Sequence, residues 1–498
     1  MKFTGAFVVL RLGMWIAIGF FFSSAASLAQ ILLVDPPNFS QKTYAHIAID
    51  QLDHFQLTQL KLNEAIDWWV EADQTLLVVG NRLSIAGLQR YYKVKLLHAP
   101  VDESALQVIA MDHFRGLESL DAWIILEGGR FTVVQARAPL PDFFFHDAQA
   151  HAHRLKHTPL KPNTVLASQW RPQVNKRRMT PDPLIQSLVN KVDTRSWLTD
   201  VYCLAAYNRF TRGSDIRNAE HWLVDQFEAL PGLEVRTESF LVNGDEAFNV
   251  IAELPGDGTT DDIFIIGAHY DSISENSTIS APGAEDNASG TAAVLELARI
   301  FVQSPPSARL IFTCYSGEEQ GLHGSRNQVS RLSSANLLGN IRAALIMDMI
   351  GYTADSDLDS LLETSQTWSD LATTFADAAS TYTQLRPVTS FNPFGSDHIP
   401  FLQNSVPALL LIENDWNIYP GYHRSTDLPT EISYDMGKEN LKLMVATLAK
   451  LAGFKFSGHV GDYFVQWLQK PSPPTTLDLT GNNRIDIGEL ILIANQTP

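Results

Sequence analysis

Cysteine is scarce in this chain, with two among 498 residues. A chain of this length with so few cysteines is not held together by a disulfide framework. Cys314 lies in an apolar run at 308–315, which favours a buried free thiol, although a bridge between Cys203 and Cys314 stays open. Stability must therefore come from a packed core, and the hydrophobic content of 45% is ordinary for a globular protein.

Basic residues are also few. Lys and Arg total 37 against 55 Asp and Glu, so the formal net charge is −18. Proteins that bind nucleic acids need a basic surface, and none of any breadth can be assembled from this balance. We therefore expect no nucleic-acid partner.

Long hydrophobic runs are absent beyond the start of the chain. Residues 12–22 form a short apolar core after Lys2, and Ser27 and Ala29 follow at the positions that a signal peptidase prefers. Arg11 keeps the run below spanning length, which argues against an uncleaved anchor. We predict a signal peptide at 1–29, no membrane span after its removal, and a secreted or periplasmic/extracellular protein.

The next part of the chain divides by composition. Residues 30–154 mix short strand and helix patterns and predict a small α+β module. Residues 155–182 are rich in Pro, Lys and Arg, which is typical of a linker. The basic run at 176–178 leaves two interpretations open: a processing site, which would make the module a propeptide, or an exposed linker.

Short apolar strands alternate with helical segments over 183–455. This alternation predicts an α/β domain with a mostly parallel, mixed sheet covered by helices. Ligands of such sheets gather beyond the carboxyl ends of the strands. A Pro-rich linker at 456–476 and a tail at 477–498 follow.

Carboxylates and imidazoles occur where the strands of this domain end. Glu318 and Glu319 are adjacent, and a metal cation relieves the repulsion between neighbouring acids. Further such residues at strand and turn ends are His269, Asp271, Asp286, Asp348, His423 and Asp427. Their recurrence at successive ends predicts a metal site rather than a solvated face.

Five motifs in this order carry a family resemblance: AHYDS, EDNASG, SGEEQGLHGS, MDM and YHRSTD. They resemble the secreted zinc aminopeptidases of the bacterial leucyl-aminopeptidase type, in metallopeptidase clan MH. The resemblance covers roughly 185–455 and implies the zinc exopeptidase fold with two Zn²⁺ per catalytic domain. The metal ligands it implies are His269, Asp286, Glu319, Asp348 and His423.

The resemblance also implies individual roles. Asp286 would bridge the two zinc ions, with His269 and Asp348 completing one site and Glu319 and His423 the other. Glu318 would be the general base that takes the proton of a bridging water. Asp271 would orient His269, and Asp427 would orient His423 in the same way.

The substrate would be the N-terminus of a peptide or protein. An apolar pocket, and hence a preference for hydrophobic N-terminal residues, is predicted from the aromatic and apolar residues that flank the site in sequence: Met349, Phe394, Trp416, Tyr419 and Tyr422. Family members often carry a tyrosine before the S-D-H motif that holds the oxyanion. This chain has phenylalanine there, which leaves two alternatives open: the metal ions suffice to hold the oxyanion, or Tyr419 or Tyr422 supplies the donor.

The tail fits an EF-hand calcium loop and resembles half of a dockerin repeat. The ligands predicted for one Ca²⁺ are Asp478, Thr480, Asn482, the Arg484 carbonyl, Asp486 and Glu489. A second loop is absent from the sequence, which does not favour a dockerin-type partner.

Together these patterns predict a secreted metallo-aminopeptidase with a two-zinc, bridged-water mechanism. A carboxypeptidase or a glutaminyl-cyclase-like enzyme on the same fold is the alternative within the enzymes. A non-enzymatic binding module would be expected to lack the base or a ligand, and this sequence has all of them.

Overall fold

The structure is a computed structural model that describes residues 42–97, 100–110, 120–128, 131–140, 143–145, 152–154, 157–169, 180–393 and 395–453. Several predictions made above lie outside these residues: the signal peptide, the basic run at 176–178, Phe394, the linker at 456–476 and the calcium loop.

The first part of the chain is rich in strands and has two short helices. Its strands are β1 (Lys42–Ala48), β2 (Trp68–Asp73), β3 (Thr75–Asn81), β4 (Val94–Leu96), β5 (Leu106–Ala110), β6 (Ala122–Gly128), β7 (Phe131–Ala136), β8 (Phe143–Phe145), β9 (Ala152–Arg154), β10 (His157–Pro159) and β11 (Thr164–Gln169). The helices are α1 (His54–Lys61) and α2 (Arg82–Gly87). Asp53 and Asn81 cap them by accepting backbone N–H bonds of the first turn.

The second part alternates helices and strands. The helices are α3 (Pro183–Val189), α4 (Thr194–Ala205), α5 (Ile216–Glu228), α6 (Gly290–Val302), α7 (His323–Ser334), α8 (Ser369–Tyr382), α9 (His398–Gln403) and α10 (Tyr434–Leu451). The strands are β12 (Glu234–Val242), β13 (Asp245–Leu254), β14 (Ile263–His269), β15 (Arg309–Tyr315), β16 (Ile341–Met347), β17 (Asp359–Glu363), β18 (Arg386–Ser390) and β19 (Ala408–Glu413).

One large mixed sheet runs through both parts, in the order β12-β13-β15-β14-β16-β19-β17-β18-β11-β2-β3-β1-β4. Its central strands β15, β14, β16 and β19 are parallel, whereas β13 and β17 pair antiparallel with their neighbours β15 and β19. A smaller sheet has the order β10-β5-β7-β6. The predicted α/β class with a mixed sheet and helices is confirmed, and the parallel pairing is concentrated in the central strands.

Both faces of the central sheet are covered. In β14, Phe264 and Ile266 join a core with α4, α6 and α10, whereas Ile263 and Ile265 join a second core with α7 and α9. Successive side chains of a strand point to opposite faces, so a doubly covered strand must be apolar throughout. Burying each such side chain contributes about 1.5–3 kcal/mol.

The segment predicted as a linker at 155–182 contains sheet structure. In β11, Ser168 pairs with Thr389 and Gln169 with Val388 of β18, and the other side of β11 pairs parallel with β2. The β-branched and apolar residues of T-V-L-A-S-Q favour a strand, and the surrounding proline and basic residues hid this signal. Strand β11 therefore joins the first part of the chain to the second within one sheet.

Both cysteines are free thiols, and Cys314 is buried, as its apolar run predicts. Burial raises the pKa of the Cys314 thiol. None of the helices in the described part of the chain combines the length and the apolar character needed to cross a bilayer.

Tight packing of α10 on α4 gives a stability prediction. Trp197 is fully buried and donates its indole N–H to the Ser289 carbonyl at 2.9 Å. A Cβ placed on Gly437 would overlap the Trp197 ring. We expect Gly437→Ala to lower the free energy of unfolding by about 1–2 kcal/mol, because overpacking outweighs the better helix propensity of alanine.

Urea unfolding, monitored by circular dichroism, measures this change. We expect a lower urea concentration at the midpoint and an unchanged dependence of the free energy of unfolding on urea concentration. Gly339→Ala is the control, because a Cβ there would have no atom within 4 Å. Equal midpoints for Gly437→Ala and the unsubstituted protein would contradict the tight contact.

Candidate active site

Parallel central strands deliver the predicted metal ligands to one edge of the sheet. His269 is the last residue of β14, and Asp348 directly follows the last residue of β16. Glu318 and Glu319 lie in the turn after β15, between that strand and α7. Because β14 lies between β15 and β16, all of these side chains meet beyond the carboxyl end of β14.

Two sets of potential ligands share one carboxylate. His269, Asp286 and Asp348 form the first set, and Asp286, Glu319 and His423 form the second, with ligand atoms in each set within 4.8 Å of one another. Oδ1 of Asp286 lies 3.3 Å from His269 Nε2, and its Oδ2 lies 3.2 Å from His423 Nε2. Each oxygen of Asp286 therefore faces a different histidine.

The remaining ligand contacts complete this arrangement. Asp348 Oδ1 lies 3.3 Å from His269 Nε2, and Glu319 Oε2 lies 3.2 Å from His423 Nε2. Glu318 forms a further cluster with His269 and Glu319. The structure thus brings together the five predicted ligands and the predicted base, while their individual roles stay predictions.

Asp271 supports the turn that carries the glutamate pair. Its carboxylate accepts the backbone N–H of Glu318 at 3.2 Å and of Glu319 at 3.4 Å, and it accepts the Thr211 hydroxyl at 2.8 Å. His269 Nδ1 lies 3.1 Å from the main-chain oxygen of Asp271 but 3.7 Å from the Asp271 carboxylate. Asp271 therefore orients His269 through its backbone and the two glutamates through its side chain.

Asp427 holds the loop of Asp286 rather than His423. Its carboxylate accepts the backbone N–H of Glu285 at 2.8 Å and of Asp286 at 3.0 Å, together with the Tyr419 hydroxyl at 2.7 Å. We expected Asp427 to orient His423, but its described hydrogen bonds come from Glu285, Asp286 and Tyr419 instead. Spacing in the sequence could not show that two of its hydrogen-bond donors would be backbone amides more than a hundred residues earlier in the chain.

Glu285 is a site residue that the sequence analysis missed. It is fully buried and accepts the backbone N–H of Gly351 at 2.8 Å and of Tyr352 at 3.0 Å. These bonds tie the Asp286 loop to the segment after β16. The signal was present, because Glu285 and Asp286 form an adjacent acid pair like Glu318 and Glu319.

Ser396, from the S-D-H motif, also reaches the site. Its hydroxyl donates to Asp348 Oδ2 at 2.8 Å, which leaves Oδ1 of that carboxylate toward His269. The next residue, Asp397, is fully buried, and neither of its carboxylate oxygens has a hydrogen-bond partner among the described residues.

Burial and mutual charge shift the pKa values here. Burial raises the pKa of Glu318 well above its usual range; His269 opposes this shift and Glu319 adds to it. Burial would lower the pKa of His269 and His423, but the surrounding carboxylates outweigh it and raise both well above the usual range. The two histidines hold the pKa of Asp286 below its usual range against the effect of burial.

The donor set fits zinc. Imidazole nitrogens and carboxylate oxygens are good zinc ligands, and a carboxylate with two differently directed oxygens suits a bridging position. Buried carboxylates of one sign also require a compensating cation, since an uncompensated buried charge is costly. We therefore expect His269, Asp286, Glu319, Asp348 and His423 to hold the metal.

The predicted pocket residues differ in their placement. Met349, Trp416 and Tyr419 are buried, and the Tyr419 hydroxyl is bonded to Asp427, so Tyr419 is directed at that carboxylate rather than at an oxyanion. Tyr422 is half-buried, and its ring stacks on His423 with centroids 3.8 Å apart. Tyr422 thus remains the tyrosine placed beside a predicted ligand.

Comparisons with known proteins show similarity to zinc peptidases. Residues 249–448 match the family described as Peptidase family M28. A probable zinc metalloprotease of Pyrenophora teres f. teres is 37% identical over 166 residues, which is 33% of this chain and 33% of that protein. A probable leucine aminopeptidase of Arthroderma otae is 27% identical over 284 residues, covering 54% of this chain and 75% of that protein.

The chain spans about a third or less of the length of the first curated relatives it matches. Among solved structures, the Legionella pneumophila LapA aminopeptidase has a TM-score of 0.50 at 18% identity and covers 70% of this chain and 98% of that one. That likeness concerns the fold. The similarity to M28 peptidases covers residues 249–448, and the relatives named above are described as a zinc metalloprotease and a leucine aminopeptidase.

Proton competition gives a prediction for metal binding. The surrounding carboxylates raise the pKa of His269 and His423, which favours their protonated forms in the metal-free protein. Zinc needs neutral imidazole, so its binding releases these protons. We expect zinc affinity to rise between pH 6 and pH 8, by about tenfold per pH unit for each proton released.

Isothermal titration calorimetry in buffers of different ionisation enthalpy measures the proton release directly. His221→Gln changes an exposed histidine of α5 and should leave the release unchanged. Zinc affinity that is constant over this pH range would contradict the charge state described here.

Proposed function

We propose that this protein is an exported metallo-aminopeptidase that uses two zinc ions to remove N-terminal, preferably hydrophobic, residues from peptides. One observation carries the proposal: the two oxygens of Asp286 face His269 and His423 separately, with Glu318 beside them. Sharing one carboxylate is what two metal ions in close proximity require.

Zinc bound by these residues would polarise the scissile carbonyl and lower the pKa of a water molecule. Glu318 then acts as the proton carrier, taking a proton from the attacking water and passing it to the leaving amine. Asp271 holds the backbone of both Glu318 and Glu319, so the base stays at a fixed position beside the metal ligands.

The similarity to a probable leucine aminopeptidase supports an N-terminal substrate. A zinc ion held by these residues would also offer a position for the free α-amine of a peptide. The half-buried ring of Tyr422 next to His423 adds apolar surface for the first side chain.

Glu318→Gln tests the proton carrier. Glutamine keeps the shape but cannot take a proton, so we expect kcat for leucyl-p-nitroanilide to fall by about 10²–10⁴-fold. Glu228→Gln, an exposed change on α5, is the matched control and should leave kcat unchanged. A kcat for Glu318→Gln within about threefold of the unsubstituted enzyme would remove Glu318 from this role.

Zinc content and substrate choice test the rest of the proposal. We expect two zinc ions per chain by atomic emission, loss of activity on chelation, and recovery on adding zinc. Acetyl-leucyl-p-nitroanilide, whose amine is blocked, should not be cleaved. One zinc per chain would contradict the shared role of Asp286, and cleavage of only blocked or C-terminal substrates would contradict the aminopeptidase.

A further inference from the structure

Arg209 is the one Lys or Arg whose side chain is buried among the residues that the structure describes, with 0% exposure. A guanidinium removed from water must be compensated by charge and by hydrogen bonds, because its desolvation is costly. The hydrogen-bond acceptors and charges around Arg209 therefore indicate its structural role.

Main-chain carbonyls accept the described hydrogen bonds of this guanidinium. Nε donates to Tyr270 O at 2.7 Å, Nη1 donates to Leu204 O at 2.7 Å and Pro282 O at 2.5 Å, and Nη2 donates to Gly283 O at 2.6 Å. A planar guanidinium with donors in a fixed fork suits such a set of carbonyls, which fixes backbone rather than side chains.

The carbonyls of Tyr270, Pro282 and Gly283 belong to the segments that carry two predicted zinc ligands, whereas that of Leu204 belongs to α4. Tyr270 follows His269 at the end of β14, and Gly283 opens the turn that leads to Asp286. Gly283 has φ +50°, and a Cβ there would lie 2.9 Å from Arg209 Nη2. Through these bonds, Arg209 links the end of β14 to the turn that leads to Asp286.

The charge of Arg209 also acts on the site. Burial lowers the pKa of Arg209 to about 10, and the carboxylates of Asp427, Asp271 and Asp286 oppose that shift. The group therefore stays cationic at neutral pH. A permanent positive charge close to these acids offsets part of their repulsion.

We propose that Arg209 is a positioning residue of the zinc site, which fixes the spacing of His269 and Asp286 by clamping their backbones together. This proposal rests on the metal site proposed above. The described hydrogen bonds of Arg209 go to main-chain carbonyls and not to the side chains of the predicted metal ligands. We therefore expect an Arg209 substitution to change zinc affinity directly, and to change the rate of the reaction only through the metal site.

Arg209→Lys and Arg209→Met test the clamp. Lysine keeps the charge but cannot reproduce the planar fork, so both variants should bind zinc about 10- to 100-fold more weakly. Zinc affinity is measured by competition with a chromophoric chelator. The visible absorption of the Co²⁺-substituted protein, which reports ligand geometry, should also change in both variants.

Arg299→Lys and Arg299→Met are the matched controls. Arg299 donates to Ser196 Oγ at 3.1 Å and Asp200 Oδ2 at 2.5 Å, two side chains of α4. These variants should lower the melting temperature while zinc affinity and the Co²⁺ spectrum stay unchanged. If Arg209 only stabilised the fold, its variants would behave like those of Arg299: the melting temperature would fall while zinc affinity and the Co²⁺ spectrum stayed unchanged.

The outcomes separate this inference from the proposed function. If the unsubstituted protein binds no zinc, the proposed function fails. If it binds zinc and the Arg209 variants match its affinity and Co²⁺ spectrum, the clamp alone is overturned. If neither Arg209 variant folds, Arg209→Gln, whose side-chain amide keeps two N–H donors, replaces them, and zinc affinity equal to that of the unsubstituted protein overturns the clamp.

Discussion

Negative charge buried beyond the carboxyl end of the central strands is the constraint on which the active site depends. Asp286 and Glu319 both face His423, and Asp286 and Asp348 both face His269. Like charges about 4 Å apart cost roughly 4 kcal/mol at an effective dielectric of 20. Arg209 lowers this cost, and the carboxylates raise the pKa of both histidines, which favours the cationic imidazoles; bound zinc would supply positive charge in place of their protons.

The site contains two pairs of adjacent acids, and the members of a pair have different contacts. Asp286 faces the histidines while its neighbour Glu285 accepts backbone N–H bonds from the segment after β16. Glu319 faces His423, while the carboxylate of Asp271 holds the backbone of the whole glutamate pair. In each pair one backbone step separates two environments, which allows neighbouring carboxylates to differ in charge state and in task.

The sequence could predict the ligands but not what holds them. His269 and Asp348 were predictable because apolar runs end at them and parallel strands share an edge. The bonds of Asp427 and Glu285 to main-chain amides were not predictable, because such amides carry no sequence signal. Strand β11 was hidden for a similar reason: its partner β18 lies more than two hundred residues later, and the flanking composition is that of a linker.

The position of β11 links the first part of the chain to the site. Strand β18 would otherwise be the edge of the catalytic sheet, with unpaired N–H and C=O groups. Phe391, just after β18, donates its backbone N–H to Val165 of β11 at 2.6 Å. The same segment of chain continues to Ser396, which bonds Asp348. Pairing with β11 therefore anchors the start of the segment that leads to Ser396, and in this way the first part of the chain supports a residue that bonds a predicted zinc ligand.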